Sequence, residues 1–312
     1  MNILVWHVHG SWMTAFVQGD HRYFVPVDTD RSPWGLGRAR TWSWPDAVVE
    51  VTEAEAAELD VDVVLLQRPE ELHGLAARWL GGRQPGVDVP AFYVEHNAPQ
   101  GRITEMVHPA ASVAGITVVH VTAFNDLFWD CGERPTRVIE HGIVDPGDRY
   151  TGELPRLAVV VNEPARRGRV TGTDLLPRFA SAAPVDLFGI GAGELGGIEN
   201  VPQSELHEAM SRRRVYVHPV RWTSLGLSLL EAMHLGMPVV ALATTEVSEA
   251  VPAGAGVIST SVDVLVDAAR RLVADPEEAR VMGKAARATA LARYGLARFL
   301  DDWDALIEEV TS

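Results

Sequence analysis

The stretch His218-Pro-Val-Arg-Trp-Thr-Ser-Leu-Gly-Leu-Ser-Leu-Leu-Glu-Ala-Met-His-Leu-Gly-Met-Pro-Val-Val-Ala241 reads as a strand end, a loop, a helix and the next strand. Ser224 and Gly226 lie beside the helix start, expected at Leu227. The first backbone N–H groups of a helix lack partners and carry partial positive charge, which suits an anion. A glycine at 226 removes the side chain that would hold a ligand away from them. Glu231 follows Leu227 by one turn on the same face. Helical side chains lean towards the amino terminus, so its carboxylate is expected to point back at the loop. A phosphate at the helix end and a carboxylate one turn on suit a nucleotide, diphosphate first and ribose hydroxyls second. The same spacing also fits an ordinary strand–helix–strand unit with a buried polar cap. Gly236 ends the helix and Pro238 opens the next strand.

Short apolar runs alternate with amphipathic stretches on both sides of this segment. Upstream, strands are expected at Ile3–Val8, Tyr23–Val27, Val61–Leu66, Ala91–Glu95, Thr117–Val121 and Arg137–Ile139, with helices such as Glu70–Leu80 and Phe124–Cys131 between them. Continuous apolar strands fit a parallel sheet covered on both faces. A looser segment, His141–Pro155, holds three glycines and two prolines and reads as a connection. The pattern then restarts with strands at Leu157–Asn162, Val185–Gly189, Val215–His218, Pro238–Ala241 and Gly256–Ile258. Helices are expected at Asp174–Ala182, Ser204–Arg212 and Leu227–Leu235. The tail from Val262 to Val310 is helical, with Gly283 and Gly295 as breaks. The expected class is α/β, two Rossmann-like halves with a helical tail: residues 1–150, 151–295 and 296–312.

The 312 residues allow about two domains of ordinary size. Net charge is −15, and Lys284 is the only lysine among 27 basic residues. Such a chain is a poor general partner for nucleic acid or an anionic membrane. A single cysteine, Cys131, forbids an internal disulfide and fits a reducing compartment. Met1–Val8 has no basic start or cleavage site, and no apolar run approaches the ~18 residues of a membrane span. A cytoplasmic protein without a transmembrane segment is expected.

The residues quoted above resemble the signature of retaining GT-B glycosyltransferases of family 4, roughly Pro-Ser-x-x-Glu-Gly-Phe-Gly-Leu-x-x-Leu-Glu-Ala-Met-Ala-x-Gly-x-Pro-Val-Val-Ala. The match runs through Pro219, Gly226, Leu227, Leu230, Glu231, Ala232, Met233, Gly236, Pro238, Val239, Val240 and Ala241. Val201-Pro-Gln-Ser-Glu-Leu-His207 and Val138-Ile-Glu-His-Gly-Ile-Val-Asp145 are similar to two further family segments. The likeness covers most of residues 117–295 and is weak before them. It implies a GT-B fold of two facing Rossmann-like domains, the second holding the nucleotide and the first the acceptor. It further implies a final helix that returns to the first domain. Donor contacts are implied at Thr223, Ser224, Leu225, Gly226, Leu227 and Glu231. There is one departure. The family's first glutamate, which helps hold the donor sugar, falls on Thr223, which carries no charge.

Arg166-Arg-Gly-Arg169 follows a strand and precedes a helix, where guanidinium groups can grip a diphosphate bidentately. The matching family loop carries an Arg and a Lys; here Thr171 stands in the Lys place, so Arg166 or Arg169 would replace it. The alternative is a solvated basic loop. Gly189-Ile-Gly-Ala-Gly193 fits a base or ribose neighbour and plain turn chemistry equally. Arg212-Arg-Arg214 complements a helix end. In the first half, Gly10 and Ser11 open a short helix where the family has a glycine-rich loop, and are candidates for a phosphate or sugar. His96, in Tyr93-Val-Glu-His-Asn97, stands where family members often have a histidine near the reacting carbon, and is the candidate catalytic residue. Asp28-Thr-Asp30 reads as a turn rather than a metal-binding pair. His7-x-His9 is similar to the metal pair of barrel amidohydrolases, but the restart after residue 155 opposes a barrel.

The reading is transfer of a sugar from a nucleotide-diphosphate sugar to an acceptor hydroxyl, with retention and without a metal or other cofactor. The acceptor is a saccharide, lipid or small metabolite. The alternatives are a nucleotide-sugar-binding protein without transfer activity, and a same-fold phosphorylase or epimerase.

Overall fold

The computed structural model describes residues 1–311 and divides into two units, Met1–Gly142 with Leu296 onwards, and Ile143–Gly295. Ser312, the last residue of the expected 296–312 segment, lies outside the described residues.

The first unit holds seven strands: β1 (Asn2–Val5), β2 (Arg22–Pro26), β3 (Val48–Val51), β4 (Val63–Leu66), β5 (Ala91–Glu95), β6 (Ile116–His120) and β7 (Thr136–Val138). They form one parallel sheet in the order β3-β2-β1-β4-β5-β6-β7. The order reverses between β1 and β4, so the loops after these strands open the crevice where ligands of such sheets bind. Short helices α1 (Gly10–Phe16), α2 (Glu53–Ala57), α3 (Ala76–Trp79) and α4 (Ala123–Phe128) lie among them. α2 starts on a capping box, Thr52 accepting from Glu55 N–H while the Glu55 carboxylate accepts from Thr52 N–H at 2.8 Å. All four residues of β4 are buried, the signature of a central parallel strand.

The second unit holds β8 (Leu154–Val160), β9 (Val185–Phe188), β10 (Arg213–His218), β11 (Val239–Leu242) and β12 (Gly256–Ser259), in the parallel order β12-β11-β10-β8-β9. Its switch point lies between β8 and β10. Its helices are α5 (Pro164–Thr171), α6 (Leu176–Phe179), α7 (Gln203–Ser211), α8 (Leu227–His234), α9 (Val247–Ala250), α10 (Val262–Ala274) and α11 (Pro276–Arg293). Alternation along the strands supplies two cores. Tyr216, Val239 and Ala241 pack with Leu229, Leu230 and Met233 of α8, while Val215, Val217, Val240 and Leu242 pack with Leu265, Ala269 and Leu272 of α10.

The last helix, α12 (Leu296–Thr311), buries Phe299, Trp303, Leu306 and Ile307 at helical spacing. Trp303 meets Trp12 at 5.9 Å, Phe16 at 5.2 Å and Phe92 at 6.0 Å, so α12 belongs to the first unit.

Several expected elements change. β1 ends at Val5 rather than Val8, and β3 was not expected, because a four-residue edge strand containing Glu50 gives no apolar run. The expected helix Asp174–Ala182 is a 3-10 turn followed by the short α6. Gly283 is not a break: it lies inside α11, where the Gly236 carbonyl comes so close that a Cβ would overlap it. The interruption falls instead at Asp275, whose side chain caps α11 ahead of Pro276. Residues after Ile143 are tied to the second unit, with Arg149 and Tyr150 N–H donating to Leu235 O and Arg287 clamping Asp145 through two 2.8 Å bonds.

Candidate functional site

In the second unit the loops after β8 and β10 are fastened together at the switch point. Arg221 N–H donates to Val170 O at 2.9 Å, and Gly172, at φ +74°, lies so close to the Pro219 carbonyl that any Cβ would collide with it. Arg166-Arg-Gly-Arg169 lies within α5, which is kinked at Gly168 (φ +32°, ψ −103°) between Arg167 and Arg169. Pro164 at its first position presets the helical φ, and Gly172 in the left-handed region closes it. Arg166 pairs with Glu163 three residues earlier, and Arg169 lies 3.6 Å from Asp174. Both arginine side chains are mostly exposed. Asp174 is held more tightly by Arg221, through bonds of 2.5 and 2.9 Å that keep its carboxyl below the usual range. The negative charge nearest Arg169 is therefore already matched by a second guanidinium.

The amino end of α8 stands at the neighbouring loop. Gly226 is its N-cap, in extended geometry with no side-chain cap, as its lack of a side chain dictates. Ser224 and Leu225 are buried, Leu225 joining the core that carries Leu229, while Thr223 and Leu227 are half-buried. The glycine also makes room for a protein side chain. A Cβ at 226 would overlap the His218 imidazole, so the space beside Gly226 belongs to a protein side chain. His218 is buried, and burial pushes its pKa down to about 4. Its Nδ1 lies 3.3 Å from the Tyr216 hydroxyl, which donates to Ser228 Oγ at 2.9 Å.

Glu231 is buried one turn into α8. Its Oε2 accepts from Gln203 Nε2 at 2.9 Å, and His207 Nε2 lies 3.5 Å away. Gln203 and His207, one turn apart on α7, meet at 2.8 Å. A buried carboxylate fixed by an amide is a prepared hydrogen-bond acceptor for hydroxyl groups. In Gly189–Gly193 the backbone donors are consumed locally: Ile190 N–H binds Asn162 Oδ1 at 3.0 Å and Gly191 N–H binds Glu199 Oε2 at 2.9 Å. The glycines there serve the turn.

In the first unit, His96 follows β5 and Gln67 follows β4 on adjacent strands. His96 Nε2 lies 3.0 Å from Gln67 Oε1. The ring centre of His9 is 4.3 Å from that of His96, with His141 at 6.5 Å and Trp12 edge-on at 5.0 Å. Burial, with His9 and His141 adding to it, holds the His96 pKa well below the ordinary imidazole value. His9 falls to about 4 and His141 to about 3, burial being the chief cause of each. All three rings are neutral at pH 7. Gly10 and Ser11 open α1 beside this group, and a Cβ on Gly10 would come within 3.1 Å of Trp42 Nε1. Asp28 accepts from Ser32 N–H at 2.8 Å, so it closes a turn. His7 Nδ1 lies 2.9 Å from Gly37 O. Among the described residues no group of three His, Cys, Asp or Glu side chains is arranged to hold a metal ion, and no helix is long and apolar enough to cross a membrane.

Residues 195–289 match the family model described as Glycosyl transferases group 1. The match contains α7, the α8 loop and Glu231. Solved structures agree over the whole chain. Sucrose-phosphate synthase from Thermosynechococcus elongatus is 16% identical, with a TM-score of 0.74 over 99% of this chain and 98% of that one. HepE from Anabaena, solved in complex with UDP and glucose, is also 16% identical at a TM-score of 0.74, over 99% and 100% of the two chains. AviGT4, a glycosyltransferase involved in avilamycin A biosynthesis, is 15% identical at 0.65 over 100% and 98%. No curated protein sequence matches significantly.

The chain has the GT-B fold. Its two separate parallel sheets exclude the closed barrel that His7 and His9 invoked. Each unit gathers its own set of the expected residues: Arg166, Arg169, Thr223, Ser224, Leu225, Gly226, Leu227 and Glu231 in the second, Gly10, Ser11 and His96 in the first. Sequence reasoning missed Gln203, His207, His218 and Arg221, and in the first unit Gln67; His9 and His141 it did not connect with His96. Gln203 and His207 stood in a quoted segment at i and i+4, a spacing that puts them on one helix face. Gln67 gave no signal, because a lone glutamine after an apolar strand has no pattern.

Proposed function

We propose that the chain is a retaining glycosyltransferase of the family 4 type, moving a sugar from a nucleotide-diphosphate sugar to an acceptor hydroxyl without a metal. The observation that carries this reading is the amino end of α8, with Gly226 at its cap and buried Glu231 one turn in, held by Gln203 at the sheet's switch point. The helix N–H groups take the diphosphate and Glu231 takes the ribose hydroxyls. Arg166 and Arg169 supply positive charge to the leaving diphosphate, the task a metal performs elsewhere. In the first unit Gly10 and Ser11 meet the sugar or a phosphate. His96, neutral at pH 7, accepts or donates one hydrogen bond and orients a hydroxyl. The family match over residues 195–289 supports the donor assignment, and HepE, solved with UDP and glucose, supports the ligand class.

The test is a thermal-shift screen with UDP, GDP, ADP, dTDP and their sugars, followed by product analysis with the best donor. A true ligand raises the melting temperature by mass action. Stabilisation by one nucleoside diphosphate and its sugar, with sugar release or transfer, is expected. No stabilisation by any of them ends the reading. Thr223, uncharged where the family has a glutamate, favours one second reading: a nucleotide-sugar-binding protein, which binds the donor and never turns it over.

A further inference from the structure

We propose that Gln67 is a positioning residue that fixes the tautomer of His96, so that Nε2 carries the proton and Nδ1 the lone pair; its bearing on transfer rests on the functional reading above. The Gln67 carboxamide is buried and has two neighbours of known polarity. Its Nε2 lies 2.7 Å from the Trp6 carbonyl oxygen, and its Oε1 lies 3.0 Å from His96 Nε2. A backbone carbonyl only accepts, so the amide NH2 must face Trp6. The reversed amide would set two acceptors 2.7 Å apart. Gln67 Oε1 then faces His96 and can only accept, so His96 Nε2 must be the protonated nitrogen. The lone pair is therefore on Nδ1.

The amide has little freedom to turn. Glu71, fully buried, accepts from Gln67 N–H and from Arg68 Nε, both at 2.6 Å, which clamps the backbone of residue 67. β1, β4 and β5 are consecutive in the sheet, so the Trp6 carbonyl, Gln67 and His96 all issue from the switch-point side of three paired strands. The chain of polarity runs from the Trp6 carbonyl through Gln67 to His96, and ends on a nitrogen that accepts. Which ring nitrogen carries the proton is set by the bond the other makes, and a wrong tautomer removes catalysis without moving the ring.

The test uses the full chain with 15N-labelled histidine. His96 signals, assigned by their loss in His96→Ala, are expected to show a pyrrole-type Nε2 and a pyridine-type Nδ1. Gln67→Leu should lose the single tautomer and lower transfer by about 10- to 100-fold, the scale of a lost orienting partner, while affinity for the stabilising nucleoside diphosphate stays unchanged. Pyrrole-type Nδ1 in the parent overturns the proposal whether or not any variant folds. So does a Gln67→Leu protein that keeps one Nε2–H form. The tautomer is read without turnover. A protein with the expected spectra and no donor turnover refutes the functional reading and leaves the tautomer assignment standing.

Discussion

His96→Ala is expected to cut transfer by about 10²-fold or more while leaving nucleoside-diphosphate affinity nearly unchanged. The reason is position: His96 issues from β5 of the first unit, whereas the α8 loop and Glu231 belong to the second. Single-turnover kinetics with calorimetry separate the two effects, and a full transfer rate or lost nucleotide binding contradicts the assignment. Arg169→Ala should weaken diphosphates more than nucleosides. The loss stays modest, because Arg169 is exposed and Arg221 already balances Asp174. Thr223→Glu restores the charge that the resembling family places there and should alter sugar preference or rate. These side chains were legible because each sits at a strand end or helix start within a patterned segment. His218 was not: its contact with Gly226 is a three-dimensional one between two loop ends, which spacing does not reveal.

At the scale of elements, Gly283 gives the sharpest test of packing against propensity. An alanine inside a helix gains up to about 1 kcal/mol over glycine. At 283 the added methyl meets the Gly236 carbonyl, backbone at the turn that ends α8. Overpacking costs about 1–3 kcal/mol, so Gly283→Ala should destabilise the protein despite the better helix former. Denaturant melts check the sign. Reading Gly283 as a break failed for the same reason: a glycine's need for close approach looks identical in sequence to a helix stop. The two sheets were legible because Val63–Leu66 and Val239–Leu242 are continuous apolar runs, as strands buried on both faces require. β3 escaped because an edge strand needs no such run. α5 escaped because three arginines and a glycine in eight residues carry no apolar stripe, and Pro164 and Gly172 alone mark its ends.

Across the whole molecule, the buried neutral histidines predict how stability follows pH. His9, His141 and His218 have folded pKa values of about 4, 3 and 4, and His96 is lowered too, against 6.5 in the ordinary state. The unfolded chain binds these protons first. Their contribution is fully present above pH 6.5 and is lost progressively as pH falls towards 4, on the order of 1–2 kcal/mol for each of His9, His141 and His218 by pH 5. Carboxylates held low by arginines, such as Asp145 and Asp174, add their loss only near and below pH 4. The melting temperature should therefore already fall between pH 6.5 and 5, and His218→Gln should flatten that fall. A flat curve over this window contradicts the burial of neutral imidazoles.

The central claim, that the amino end of α8 with Glu231 holds the nucleotide of a sugar donor, is tested most directly by calorimetric titration. The parent and Glu231→Gln are each titrated with the nucleoside diphosphate that stabilises the parent most. The account predicts a saturable one-to-one heat for the parent. In the variant binding should weaken by about 1.5–3 kcal/mol, the worth of charge-assisted bonds to ribose hydroxyls. Its fold should stay intact, because the introduced carboxamide oxygen can still accept from Gln203. Equal affinity in the two proteins would contradict it.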